Sequence, residues 1–235
     1  MKIIEDAILR GEKTLSEFDS KKVLEAYSIP VTREFIAKST AEAKVFAREI
    51  GYPVVLKGSS STLTHKTELN MVELNIKDEK ALEEACQSIE ERGKGRIDGI
   101  LVQQMIRGER EFVAGLIRDP QLGPCVMFGL GGIFTEVLKD VTFRVAPLEM
   151  EDALEMITEI KAKKILDRFR GKPAVNRDLL ANILRSLGRI GLDIPEIAEI
   201  DINPLIVHDE IPVAVDALVV LRDRNGDDSY SRDGR

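Results

Sequence analysis

The sequence predicts an α/β protein built from two α+β lobes. Helix-like and strand-like segments alternate in the first part of the chain, whereas from Glu109 onwards strands separated by Pro and Gly turn signals dominate. A chain of 235 residues with 43% hydrophobic content can bury a substantial core, in one large domain or two small lobes. We expect a small lobe at 23–99, a larger lobe at 100–221, and an N-terminal helical segment, 1–22, packed on the larger lobe.

The first segments follow one another as helix, strand, helix and strand. The stretch from Leu15 to Ala26 has helical spacing, and a strand is predicted for "IPVTREFIA", after a proline break. A helix with Thr40 as its N-cap and Gly51 as its stop is predicted for "TAEAKVFAREIG", and the next strand ends at Lys57. After a loop come the alternating strand "MVELNI", the amphipathic helix "DEKALEEACQSIEER" and the mostly apolar strand "GILVQQMI".

The larger lobe is predicted to contain strands, then helices, then a closing hairpin. The strands are "REFVAGLIRD", "GPCVMFGLGG" and "FTEVLKDVTFRVAPL". Helical patterns follow near 151–169 and 176–191, and the hairpin joins "IAEIDINPLIVHD" to "IPVAVDALVVL". The tail, 222–235, lacks apolar anchors, and we expect it to be disordered.

Charge and cysteine content exclude several classes of function. The net charge of −7, from 34 basic and 41 acidic residues, argues against nonspecific nucleic-acid binding but allows a local basic site for a phosphorylated small molecule. Cys86 and Cys125 form no ligand-like cluster, and the sequence shows no apolar leader and no apolar run of 18 residues. We therefore expect a cytoplasmic protein with reduced thiols that binds neither nucleic acid nor membranes.

Lys57 stands at the end of an apolar strand and is followed by Gly58, Ser59, Ser60 and Ser61. A phosphate site needs a fixed cation together with backbone N–H and hydroxyl donors, so this segment is a candidate nucleotide-binding loop that includes Ser59 and Ser60. The pattern is not GxxxxGK[ST], which excludes an ordinary P-loop. The alternative is a lysine that extends along the sheet edge into water.

Two further features are weak on their own. His65, one of only two histidines, lies in the hydroxyl-rich loop, and residue pattern alone favours an exposed, non-catalytic side chain. The stretch "GLGG" at 129–132 gives Gly131 and Gly132 the freedom to let backbone approach a ligand, although such stretches more often form only a turn.

Acidic residues near the C-terminal end suggest a metal site. Glu199, Asp201 and Asn203 alternate along a predicted strand and therefore share one face. Asp216 interrupts the apolar run of the following strand, where an unpaired carboxylate is costly, and a hairpin would bring it near Asn203. Carboxylate and amide oxygens that leave room for water and phosphate suit Mg²⁺. The alternative is that Asp216 meets a backbone turn or an Arg.

Several segments together resemble one protein family. They are "YPVVLK", "THKTELNMVELNI", "GILVQQM", "GEREFVAG", "IRDPQLGPCVMFGLGGIFTEVLKDVTFRVAPL" and "EIDINPL". Over about residues 10–221 the chain is similar to the ATP-grasp beta subunit of the NDP-forming acyl-CoA synthetases, a group that includes ADP-forming acetyl-CoA synthetase and is related to succinyl-CoA synthetase. The resemblance implies an ATP-grasp fold, with two lobes that clasp ATP or ADP.

The resemblance also implies a role for each matching residue. Lys57 matches a lysine that contacts nucleotide phosphates, and Asn203 and Asp216 match Mg²⁺ ligands. Asp201 matches the acid beside the phosphoryl-transfer position, and His65 matches a histidine that is transiently phosphorylated. The remaining matches are to nucleoside contacts: the hinge against which adenine lies (Gln103, Gln104 and Met105) and the acid near the ribose (Glu111).

The chain departs from the family pattern at two places. The family has acid-x-Gly-Gly after the histidine, whereas this chain has Glu68-Leu69-Asn70-Met71, which leaves open whether His65 is phosphorylated. The hinge commonly reads VQEM and here reads VQQM, so that Gln104 replaces a carboxylate.

The function implied is that of the nucleotide-binding subunit of an acid–thiol ligase, which interconverts acyl-CoA, ADP and phosphate with acid, CoA and ATP by phosphohistidine relay. The sequence shows no GxGxxG-type CoA-binding domain. We therefore expect an alpha-type partner that binds most of the CoA, in an α2β2 hetero-oligomer. Two alternatives remain: another ATP-grasp carboxylate ligase, or a catalytically silent nucleotide-binding regulatory subunit. The acid used and the choice between ADP and GDP stay open.

Overall fold

The computed structural model describes residues 1–59, 71–94, 96–132, 140–168 and 171–222. These residues form two antiparallel β-sheets, and helices pack against one face of each sheet. The α/β architecture with two lobes is therefore confirmed. None of the helices described here is long and apolar enough to cross a lipid bilayer.

The smaller sheet has four strands in the order β1-β4-β2-β3, and all its neighbouring strands are antiparallel. The strands are β1 (Glu34–Ala37), β2 (Val54–Ser59), β3 (Val72–Ile76) and β4 (Gly99–Gln104). Helices α3 (Thr40–Ile50) and α4 (Glu79–Gly93) bury their apolar faces against it. Asp78 begins α4 by accepting a hydrogen bond from the Ala81 N–H, as expected for an N-cap.

The larger sheet has the strand order β10-β8-β5-β6-β7, and β9 pairs with one end of β8. Its strands are β5 (Glu111–Asp119), β6 (Gly123–Leu130), β7 (Val141–Val145), β8 (Ile197–His208), β9 (Ile211–Ala214) and β10 (Ala217–Leu221). Helices α5 (Met150–Glu159) and α6 (Arg177–Asp193) cover one face, with a short 3₁₀ turn at Lys163–Leu166. The larger core lies between this face and the helices.

The N-terminal segment belongs to the larger sheet. Helices α1 (Lys2–Leu9) and α2 (Glu17–Ala26) contribute Ile4, Val23 and Leu24 to the larger core. The Leu15 N–H also donates to the Val219 carbonyl of β10 over 2.9 Å. These contacts place the segment against β10 and the larger core.

The lobe boundaries differ from those expected. We placed residues from 100 onwards in the larger lobe, but β4 pairs with β1 and β2, so the change of sheet falls after Gln104. We placed residues from 23 onwards in the smaller lobe, but Val23, Leu24 and Ile29 are buried in the larger core. Both errors have one cause: sequence pattern identifies a helix or strand but not the sheet against which it packs.

Three element boundaries also differ. The N-cap of α3 is Ser39 and not Thr40, because the Ser39 hydroxyl accepts from the Glu42 N–H. Strand β2 continues through Ser59, two residues beyond Lys57. The predicted closing strand is split into β9 and β10, which pair with opposite ends of β8.

Candidate active site

Buried polar side chains meet where the two sheets come together. Lys57 Nζ lies 2.6 Å from Glu17 Oε1 and 3.8 Å from Asp216 Oδ2, and only 6% of Lys57 is exposed. We call the group to which Lys57 belongs the inter-sheet polar cluster. Its members are Glu17, Lys21, Thr32, Glu34, Lys57 and Gln103. The cluster connects helix α2, which packs on the larger core, with three strands of the smaller sheet.

The N-terminus of helix α2 places Glu17 and Lys21 in this cluster. The Ser16 hydroxyl accepts from the Asp19 N–H and caps α2, so that the helix begins at Glu17 and places Lys21 one turn later on the same face. Lys21 Nζ donates to Glu17 Oε1 over 3.0 Å and to Glu34 Oε2 over 2.7 Å. Two buried lysines are thereby balanced by two buried glutamates.

Lys57 is an interior cation and not a lysine that extends along a sheet edge. Its strand, β2, lies between β4 and β3. Burial works against the charge of Lys57, but the attraction of Glu17 and Asp216 outweighs it and holds the pKa of the ammonium above its usual value. The side chain is therefore charged at neutral pH and lies beside the acidic end of the larger sheet.

The break between β9 and β10 brings Asn203 and Asp216 together. The Asn203 N–H donates to the Asp216 carbonyl over 3.2 Å, and the Val215 N–H donates to the Pro204 carbonyl over 3.0 Å. The Asn203 side chain is exposed, and 47% of the Asp216 side chain is exposed. The structure thus places Asn203 and Asp216 next to each other through their backbones, and solvent can reach both side chains.

These two side chains suit a cation that arrives with other oxygen ligands. No group of three or more His, Cys, Asp or Glu in the described part of the chain is arranged to hold a metal by itself. Mg²⁺ bound with a nucleotide usually needs only one or two protein carboxylates, because phosphates and waters complete the octahedron. The donor set of Asn203 and Asp216 therefore fits Mg²⁺ in that mode.

Asp201 lies next to this pair on β8. Ile200 and Ile202 are buried in the core, which puts Asp201 on the opposite face, as the alternation predicted. It lies in register with Gly115 of β5, which contributes no side chain beside it. Burial, followed by the negative charges of Glu199 and Asp216, raises the pKa of Asp201 to about 6. A carboxylate with a pKa near neutrality is suited to accept and release protons.

Glu111 and the "GLGG" stretch are also brought together. The Gly131 N–H donates to the Glu111 carbonyl over 2.8 Å, and a Cβ on Gly131 would lie 2.8 Å from the carbonyl carbons of Glu111 and Phe112. Only glycine allows this approach. Along β5, Glu111 is four residues from Gly115, the partner of Asp201, a separation of about 13 Å at the usual strand rise.

The predicted hinge begins inside the polar cluster. We expected Gln103 to contact the nucleotide, but its side chain is completely buried, and Gln103 Nε2 lies 2.9 Å from both Glu34 Oε2 and the Val215 carbonyl. Strand alternation turns this residue into the polar cluster. The neighbouring Gln104 accepts from the Arg33 N–H through Oε1 over 3.3 Å, and Met105, just after β4, is half-buried.

The loop after Lys57 is described only at its two ends. Ser59 is the last residue of β2, and its carbonyl accepts from the Asp98 N–H over 2.7 Å. Ser60 and His65 lie outside the described residues. Met71, one of the departures from the family pattern, is 1% exposed and accepts a hydrogen bond from the Gly58 N–H. Its φ is not positive, so this position does not require glycine.

Sequence analysis missed four members of the cluster: Glu17, Lys21, Thr32 and Glu34. The sequence did contain one indication of a buried ion pair. Glu17 and Lys21 share a helix face with the apolar Leu24. Charged residues on a face that must be buried indicate a buried ion pair. The contacts to β1 and β4 have no comparable sequence signal.

Comparison with known proteins identifies the family of this chain. The family model for the ATP-grasp domain matches residues 6–221. Subunit beta of an ADP-forming acetate–CoA ligase I from Pyrococcus furiosus is 45% identical over 214 residues, which cover 89% of this chain and 92% of that protein. The chain belongs to the ATP-grasp family of ADP-forming acetate–CoA ligase beta subunits. The resemblance, the ATP-grasp fold and the ligase class expected from the sequence are thus confirmed.

Two further ATP-grasp relatives add detail. ADP-forming acetate–CoA ligase I of Archaeoglobus fulgidus is 42% identical over 223 residues, which cover 93% of this chain but only 32% of that longer protein. A chain of acetyl-coenzyme A synthetase 1 from Candidatus Korarchaeum cryptofilum superposes with a TM-score of 0.85 at 42% identity, covering 94% of this chain and 99% of that one. That structure is a complex with coenzyme A and Mg-AMPPCP, and its phosphohistidine segment points towards the nucleotide-binding site.

Proposed function

We propose that this ATP-grasp chain is the nucleotide-binding subunit of an NDP-forming acyl-CoA synthetase, which interconverts acyl-CoA, ADP and phosphate with acid, CoA and ATP. One observation carries the proposal. At the junction of the two sheets, the Lys57 ammonium lies beside the Asp216 carboxylate, and the Asp216 carbonyl accepts a hydrogen bond from the Asn203 N–H. The negative charge of Asp216 also helps to raise the pKa of Asp201. A cation, a metal-binding pair and a titratable carboxylate are the components that phosphoryl transfer needs.

Each residue has a defined part in binding the nucleotide. Lys57 offers a fixed ammonium to the phosphates, and Ser59 and Ser60 offer donors beside it. Asn203 and Asp216 hold Mg²⁺, which neutralises charge on the transferring phosphoryl group when it is bound. The nucleoside lies along Gln104 and Met105, with Glu111 near the ribose and the backbone of Gly131 and Gly132 close to the ligand. The buried Gln103 is not part of this set.

The phosphoryl group travels through His65. A neutral imidazole nitrogen attacks the γ-phosphorus of ATP, the bond to the β,γ-bridging oxygen breaks, and ADP leaves. The reverse step returns the phosphoryl group to ADP. Asp201 orients the imidazole or holds its charge after transfer. The role of His65 rests on the family resemblance and on the position of Lys57, eight residues earlier in the sequence.

The rest of the reaction takes place on a partner chain. The longer Archaeoglobus fulgidus relative contains the equivalent of this chain as about a third of its length, which supports a missing alpha-type portion. We propose that a separate alpha-type subunit supplies the acyl and CoA sites in an α2β2 assembly. The acyl-phosphate formed there exchanges its phosphoryl group with this chain.

The experiment uses ATP labelled in its γ-phosphate, Mg²⁺ and the candidate alpha partner. Acid-labile, base-stable label on His65, located by mass spectrometry, is the expected result, and His65→Ala should abolish it while sparing ADP binding. His208→Ala is the control, because His208 is exposed and its Nδ1 lies 3.1 Å from the Arg107 carbonyl. Phosphate on the alpha chain alone, with normal turnover by His65→Ala, contradicts the relay. Bound but uncleaved ATP supports a silent regulatory subunit.

A further inference from the structure

We propose that Glu17 is the positioning residue of the phosphate-binding lysine, so that helix α2 fixes where the Lys57 ammonium meets the nucleotide. The inference rests on the proposed nucleotide site. It assigns a function to Glu17, which has no proposed contact with the nucleotide. Glu17 lies on α2, which packs on the larger core, whereas Lys57 lies on the smaller sheet.

The first argument is the geometry of one carboxylate oxygen. Glu17 Oε1 accepts from Lys57 Nζ over 2.6 Å and from Lys21 Nζ over 3.0 Å, and Gln103 Nε2 lies 3.2 Å away. The Glu17 side chain is 5% exposed, so water does not compete for these donors. Three donors that converge from α2, β2 and β4 leave this oxygen little freedom to move. The oxygen is therefore a fixed point from which the Lys57 ammonium is held.

The second argument is that, among the residues that the structure describes, the other carboxylates near Lys57 are engaged elsewhere. Asp216 is 3.8 Å from Lys57 Nζ and 47% exposed, and it is proposed to bind the metal. Glu34 Oε2 accepts hydrogen bonds from Lys21, Thr32 and Gln103 and contacts no atom of Lys57 in these bonds. Within the described residues, Glu17 accepts the hydrogen bond that Lys57 Nζ donates. Lysine has a long flexible stem, so without that bond its ammonium would sample several positions.

The third argument concerns charge. The cluster holds two ammonium groups and two carboxylates, all buried. Loss of one carboxylate leaves a buried cation without its partner, which is strongly unfavourable. The lysine would then turn towards Asp216 and compete with the metal. Glu17 thus leaves the Lys57 ammonium to bind the phosphates and the Asp216 carboxylate to bind Mg²⁺.

The test is Mg-ADP binding by calorimetry to the full chain. Glu17→Gln keeps the size of the side chain but removes its charge, and we expect the Kd to rise about tenfold or more, as for loss of a hydrogen bond to a charged group. Lys57→Met should weaken binding as well. Because Glu17 acts through Lys57, the double variant should bind no more than about twofold worse than Lys57→Met alone, whereas independent residues would multiply their effects.

Glu34→Gln is the matched control. Glu34 is as deeply buried as Glu17, with 4% of its side chain exposed, and lies in the same cluster, so a merely structural role predicts equal effects. We expect Glu34→Gln to change the Kd less than about threefold. NMR of ¹⁵N-lysine provides a second readout. The Lys57 ammonium signal, assigned by its loss in Lys57→Met, should persist in Glu34→Gln and disappear or shift in Glu17→Gln.

If Glu17→Gln does not fold, Glu17→Asp provides the test. This variant keeps the charge but withdraws it by one methylene, and we expect the Kd to rise at least threefold if position matters. Unchanged affinity in Glu17→Asp or Glu17→Gln, equal losses in Glu17→Gln and Glu34→Gln, or multiplicative effects with Lys57→Met would each overturn the inference. Failure of the wild-type chain to bind Mg-ADP would instead overturn the proposed function.

Discussion

Asp216→Asn separates binding of the metal from stability of the fold. In the structure without ligand, the Asp216 carboxylate is 47% exposed and 3.8 Å from Lys57 Nζ. This contact contributes ~0–1 kcal/mol, because water screens the half-exposed carboxylate and the buried Lys57 ammonium keeps its closer partner Glu17. The unliganded variant should therefore unfold at nearly the wild-type temperature. The large effect should appear only when Mg²⁺ and ADP are present together.

Linkage gives the size of that effect. At a Mg-ADP concentration of about 100 times Kd, binding stabilises the folded state by ~2.7 kcal/mol. Removal of a residue that supports a metal ligand from outside the coordination shell raises the Kd for the metal by up to about 100-fold. Loss of a carboxylate that binds the metal directly should therefore raise the Kd of Mg-ADP about 100-fold. The same concentration then gives only ~0.4 kcal/mol. For a domain of this size, a shift of roughly 5–10 °C in the thermal midpoint falls to about 1 °C.

The assay is thermal unfolding with ADP in Mg²⁺ and, separately, with ADP in EDTA. Glu199→Gln is the matched control, since Glu199 is a carboxylate two residues from Asp201 on β8 and has no proposed contact with the metal. Its Mg²⁺-dependent shift should equal that of the wild type. An Asp216→Asn protein that keeps the full Mg²⁺-dependent shift would remove Asp216 from the metal site.

Two further predictions concern the buried charges, measured by urea unfolding without metal. Lys21→Met should destabilise the fold by about 3–5 kcal/mol, because Glu34 loses its buried ammonium partner and Glu17 keeps only Lys57 of its two. Exposed Lys22→Met should cost less than about 0.5 kcal/mol, and similar losses in the two variants would show that the cluster is not ionic. Because the folded-state pKa of Asp201 is raised to about 6, its ionisation costs stability as the pH rises through about 4 to 6. Asp201→Asn in EDTA should therefore gain about 1–2 kcal/mol relative to wild type between pH 4 and pH 7, and a gain that does not depend on pH would contradict this.

Local sequence pattern predicted most of the elements. The helical spacing behind α3 and α4 and the alternation of Ile200 and Ile202 on β8 are determined by residues close together in the sequence. The approach of Asn203 to Asp216 followed from the same local reasoning, because a hairpin needs only a turn between two strands. These features could therefore be predicted from the sequence.

The contacts within the polar cluster could not be predicted from the sequence, because they join distant parts of the chain. Gln103 and Glu17 are 86 residues apart, and Gln103 and Val215 are 112 residues apart. A strand pattern shows that Gln103 points to one face, but the identity of the element on that face depends on how the two sheets pack. For the same reason, the expected boundaries at 23 and 100 assigned the end of α2 and most of β4 to the wrong sheet.

The bond from Gln103 Nε2 to the Val215 carbonyl, 2.9 Å long, has a mechanical consequence. Rotation of one sheet against the other displaces each atom in proportion to its distance from the axis. An axis through the polar cluster leaves Lys57 and Asp216 almost stationary, whereas the outer edge of the smaller sheet, at β3, moves farthest. If the sheets rotate about this place, the rim of the smaller sheet opens and closes while the spacing of Lys57 and Asp216 stays nearly constant.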